Sequence, residues 1–92
     1  MIAKLLVIKG RVQGVGFRMT AAKEAHRLGD LQGWVQNLNS ADVEVFVQGP
    51  KEKVEAFLAW CQKGPSAASV QDIQITDAGY QTGLTDFFIK KS

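Results

Sequence analysis

Ninety-two residues, 46% of them apolar and 22% charged, suit one compact domain over 1–92 and exclude a disordered chain or a pair of domains. The formal charge of +2 comes with no Lys/Arg run longer than two, so nucleic acid is not demanded as a partner, while a small anion is compatible. A lone cysteine, Cys61, excludes an intrachain disulfide and a cysteine-based metal site, and no stretch has the form of a membrane span or a signal peptide; the expectation is a cytoplasmic chain with no membrane partner.

In chain order, Leu5, Leu6, Val7 and Ile8 mark a strand over 3–9, ended by Gly10. A glycine-rich turn, Gly10 to Gly16, leads to a helix from Phe17 to Leu28 with Ala21, Ala22, Ala25 and Leu28 on one side, stopped at Gly29-Asp30. Residues 31–38 read as a strand, with Asn39-Ser40 as its turn. Val43, Val45 and Val47 alternate with Glu44, Phe46 and Gln48, which places the valines on one face of the next strand. After Gly49-Pro50, residues Val54, Phe57, Leu58 and Cys61 follow the i, i+3, i+4, i+7 spacing of a helix, closed by Gly64-Pro65-Ser66. Strands near 69–76 and 86–90, joined by a polar loop, complete the chain. The order β-α-β-β-α-β plus a short fifth strand predicts an α+β, ferredoxin-like sandwich: a mostly antiparallel sheet with two helices on one face. That architecture serves many unrelated functions, so chemistry has to come from a site.

In a right-handed βαβ unit the first two strands are parallel, so their carboxyl ends and the start of the first helix share one edge of the sheet. The turn 10–16, Arg18 and Asn37 are therefore expected to converge. Gly14 and Gly16 permit positive φ, and the backbone N–H groups of Gln13, Gly14, Val15, Gly16, Phe17 and Arg18 can form an anion cradle at the positive end of a helix dipole. Arg18 adds a planar fork for two phosphate oxygens. Spacing alone also fits a purely structural turn. The Walker pattern is absent, and the dinucleotide fingerprint fails because Met19 stands where its last glycine belongs.

Gly10-Arg-Val-Gln-Gly-Val-Gly-Phe-Arg18 resembles the acylphosphatase signature, Gly-x-Val-Gln-Gly-Val-x-Phe/Tyr-Arg, and Gly33-Trp-Val-Gln-Asn37 resembles the same family's second motif. The likeness continues through Val43-Glu-Val, Gly49, the second helix and Thr85-Asp-Phe-Phe-Ile89, so it covers essentially the whole chain. It implies a sheet ordered 4-1-3-2-5 and a monomeric hydrolase that needs no metal or other cofactor and cleaves the carboxyl-phosphate bond of small acyl phosphates. It also implies that Arg18 binds phosphate with the 13–18 amides and that Asn37 orients the attacking water. Two positions depart from the family pattern. Ala21 stands where many members have Thr or Ser, and Asn39-Ser-Ala-Asp42 replaces the usual Asp-Gly or Asn-Gly hairpin.

The chemistry suits such a site. A carboxylate with a pKa of about 4 leaves readily as an anion, so positioning and charge stabilisation are the main work, and neither a histidine nor a carboxylate base is needed. His26 is expected to be a partly exposed helical residue and Cys61 a core residue. Trp34, opposite in parity to Asn37, is expected to pack, and Trp60 to lie far from the motif edge. Lys90 and Lys91 read as solvated surface. Arg11 opens the turn as either an anion attractor or a surface residue, and the Gln13 side chain is a candidate brace for the turn. Two other readings compete. One is a non-catalytic module binding acyl or carbamoyl phosphate, against which a chain that begins and ends with the domain is set. The other is RNA on the open sheet face, for which the first strand lacks any aromatic and the third has only Phe46.

Overall fold

The structure, a computed structural model, describes residues 1–91. Its elements are β1 (Ile2–Arg11), α1 (Phe17–Leu28), β2 (Gln32–Asn37), β3 (Val43–Gly49), α2 (Lys51–Lys63), β4 (Ser69–Asp77) and β5 (Phe87–Ile89). They build one five-stranded sheet in the order β4-β1-β3-β2-β5. The pairs β1–β3, β1–β4 and β2–β3 are antiparallel, while β2 and β5 run parallel. The α+β, ferredoxin-like arrangement is therefore the observed one. Gly10 does not end β1, however. A register shift against β4 between Lys9 and Gly10 absorbs the irregularity as a bulge, and the strand continues to Arg11.

Period-2 and period-3.6 patterns meet in the core. Leu6 and Ile8 of β1, Val35 of β2 and the three valines of β3 lie against Ala21 and Ala25 of α1 and Val54, Phe57 and Cys61 of α2. Burying each large aliphatic side chain contributes roughly 1.5–3 kcal/mol before conformational entropy is set against it. The other face of β3 is also covered, which single-strand alternation does not reveal. The Trp34 ring stacks on buried Phe46 at 6.0 Å between centroids. Gln48, fully buried, donates from Nε2 to the Gln81 carbonyl at 2.7 Å and to Gln32 Oε1 at 2.9 Å, while its Oε1 accepts from the Gln81 N–H at 2.7 Å. The loop between β4 and β5 thus closes over the central strand and satisfies its one buried amide.

This topology positions the site. β3 is antiparallel to both β1 and β2, so those two strands point the same way and finish at one edge. Ile8 and Asn37 both lie opposite Val43, which sets Asn37 two strand spacings, roughly 9–10 Å, from Ile8, three residues before β1 ends. Cross-strand partners point to the same face, so Asn37 shares the helix side of the sheet with Val43.

Candidate active site

Two left-handed glycines, Gly14 (φ 72°) and Gly16 (φ 78°), bend the chain from β1 into α1. Gly16 is the N-cap of α1 and offers no side-chain cap. Among the described residues, no backbone acceptor engages the N–H groups from Gln13 to Met19. These donors sit at the positive end of a twelve-residue helix, the usual setting for an anion. The Gly16 carbonyl is occupied, accepting from the Thr20 N–H at 3.0 Å and from the Thr20 hydroxyl.

Packing from below holds this bend. Phe17 is 1% exposed, and its ring lies 5.4 Å from that of Trp60. Trp60 is thus a support of the bend and not, as expected from sequence, remote from the motif edge. The α2 C-cap must also be a glycine, because a Cβ at Gly64 would come within 2.7 Å of the Phe17 ring. From the side, Gln13 Nε2 donates to the carbonyls of Leu38 and Asp42, each at 2.9 Å. The side-chain brace anticipated for Gln13 is present and reaches across to the β2–β3 hairpin. Neither Gln13 nor Val15 lines the cavity that follows; Val15 packs against the core.

A pocket of about 390 Å³ opens at this edge. Gly14, Gly16, Arg18 and Asn37 line its polar part. Arg18 makes no ion pair among the described residues. The Asn37 side-chain oxygen is buried and has no hydrogen-bond partner. Leaving such an atom unpaired costs about 1–3 kcal/mol, so this is a place to look for a ligand or a water. Among the described residues, no carboxylate or imidazole lines the pocket. The remaining lining is Val12, Phe17, Met19, Ile89 and Lys91. Sequence reasoning missed Met19, Ile89 and Lys91 as pocket residues. Lys91 is exposed, as the sequence suggests, yet the parallel pairing of β5 on β2 brings it to this edge.

Other singled-out residues take structural places. His26 is exposed, and its Nε2 lies 2.9 Å from the Phe87 carbonyl, joining α1 to β5. Cys61 is fully buried, and burial pushes its thiol pKa well above the ordinary value. Lys90 Nζ sits 4.6 Å over the Trp34 ring, a cation–π contact on the open face. Arg11, exposed, is the last residue of β1, paired with Ser69 of β4, and the turn begins directly after it. Ala21 faces the core with no exposure, and the nearby hydroxyl is that of Thr20. In the hairpin, Leu38 N–H donates to the Asp42 carbonyl at 2.8 Å and Ala41 adopts φ 74°, a left-handed position that glycine ordinarily fills.

Comparison with known proteins gives one answer. The family model described as Acylphosphatase matches residues 4–89. An acylphosphatase from Azoarcus sp. (strain BH72) is 52% identical over 81 residues, which is 88% of this chain and 82% of that protein. The crystal structure of acylphosphatase from Bacillus subtilis superposes with a TM-score of 0.91 at 33% identity, covering 98% of this chain and 99% of that one. Full-length HypF, crystallised in a phosphate- and nucleotide-bound form, superposes with a TM-score of 0.86 at 32% identity over 98% of this chain and 12% of that one.

Proposed function

Because this chain belongs to the acylphosphatase family and hydrolyses acyl phosphates, we propose that Arg18 and the 13–18 amides hold the phosphoryl group while Asn37 orients the attacking water. The guanidinium fork takes two phosphoryl oxygens and the amides take the charge that develops on them. A water that donates a hydrogen bond to the Asn37 oxygen attacks phosphorus in line. As the new O–P bond forms, the bond to the acyl oxygen breaks and the carboxylate leaves with the electron pair. The water's proton passes to a phosphoryl oxygen or to solvent, since among the described residues no carboxylate or imidazole lines the pocket. Charge stabilisation by one arginine and a ring of amides gives the reaction no need of a metal. The reading carries with it a monomer acting on a small molecule in the cytoplasm.

The observation that supports these roles best is that Asn37, whose side-chain oxygen is buried and unpartnered, lines one pocket with Arg18 and the glycine bend. The test is phosphate release from acetyl phosphate in the presence of a metal chelator. Wild type should turn over, and Arg18→Ala should lose roughly 10³-fold or more. Arg18→Lys should fail as well, because a point charge does not replace the fork. Full activity in Arg18→Ala would remove the arginine from the mechanism.

A further inference from the structure

The pocket is larger than a phosphoryl group needs, and its surplus is apolar. Beyond Arg18, Asn37 and the two glycines it is walled by Val12, Phe17, Met19 and Ile89, with Lys91 beside them; Met19 and Ile89 are 60% and 39% exposed. Large apolar side chains left open to water beside a polar site mark a surface that something covers. Met19 stands in the first turn of α1, one residue after Arg18. Ile89 pairs with Val35, and Asn37 lies two residues further along β2. Strand rise and spacing then put Ile89 roughly 8 Å diagonally from Asn37. Ile89 thus stands on the strand next to Asn37, at the same edge of the sheet.

We propose that Met19 and Ile89 form the acyl subsite of this enzyme, two sides of an apolar slot that selects uncharged alkyl or aryl acyl groups over acetyl. The assignment rests on the proposed phosphate site at Arg18 and Asn37. The acyl carbons enter the slot while the phosphoryl group occupies the bend, so ground state and transition state are held by the same contact. The subsite therefore acts on KM more than on kcat. Lys91, the pocket's second cation, offers the opposite preference, for an acyl group bearing its own carboxylate.

The experiment compares acetyl, butanoyl and succinyl phosphate with the full chain. Acetate and butanoate are leaving groups of nearly equal basicity, so their difference reports binding. Butanoyl phosphate should exceed acetyl phosphate in kcat/KM by about 10-fold, chiefly through KM. The Met19→Ser and Ile89→Ser variants should each shrink that ratio severalfold, and together bring it to within about 2-fold of unity. Inhibition by inorganic phosphate should keep its wild-type constant in both, which distinguishes loss of the slot from loss of the fold. Equal kcat/KM for acetyl and butanoyl phosphate in wild type, or an undiminished ratio in the double variant, would overturn the subsite. A preference for succinyl over butanoyl phosphate would overturn it in favour of Lys91. Loss of turnover on all three substrates with wild type would instead strike the phosphate site itself.

Discussion

Asn37 sits last in β2 with an amide oxygen that is buried and unpartnered, while its backbone is fixed by pairing with Val43. A side chain held by a strand has few rotamers to lose, so a water bound there is oriented without further ordering of the protein. Removing the amide takes away a contact made to the nucleophile and leaves the phosphate's own donors intact. Asn37→Ala should therefore lower kcat by roughly 10²–10³-fold while inorganic phosphate still inhibits with a constant near that of wild type. Steady-state rates and phosphate inhibition on the one variant check both halves. Full turnover would end the water-positioning role, and lost phosphate binding would move Asn37 into the cradle.

The bend and the hairpin are separate elements that work as one part because Gln13 spans them. Its Nε2 reaches the carbonyls on both sides of the hairpin, and Leu38 directly follows Asn37. Those carbonyls keep their partners within the hairpin, at the N–H groups of Ala41 and Leu38, so losing the brace strips neither of its last hydrogen bond. Gln13→Ala should then cost about 1–2 kcal/mol in urea unfolding and lower kcat more than it raises KM, by roughly 10-fold, as Asn37 drifts relative to the bend. Unchanged kcat with the stability loss would make the brace structural only. Legibility in the sequence divides along the same line. The glycine bend, Arg18 and Asn37 could be read because local conformation and strand direction follow from nearby residues. The reach of Gln13 over 25 positions, the cover that Gln81 gives Gln48 and the entry of Met19, Ile89 and Lys91 into the pocket depend on where distant segments meet. Trp60 shows the same limit. Its place on α2 was plain, but its contact with Phe17 needed the packing of α1 on α2.

Across the whole molecule the site is the outer surface of the core. The bend rests on Phe17, Phe17 on Trp60, and Trp60 is stacked with Phe57 at 6.1 Å, which meets Phe87 at the start of β5 at 5.4 Å. Phosphate bound at the bend should therefore stabilise the packing of α2, and Cys61, next to Trp60, reports on that packing. The thiol is fully buried, and its pKa is raised first by burial and then by the negative charge of Glu24, so the reactive thiolate is all but absent in the folded chain. Labelling by a disulfide reagent then waits for opening, and its rate follows the open fraction when closing is fast. If the opening that frees Cys61 also undoes the bend, inorganic phosphate at ~10 times its Kd should slow labelling by about 10-fold, since it binds only the closed form. Labelling is followed by absorbance at low reagent concentration, with Arg18→Ala as the variant in which phosphate should give no protection. A rate that ignores phosphate in the wild type would mean that α2 opens while the Phe17 bend stays whole, and that the aromatic chain does not couple the two.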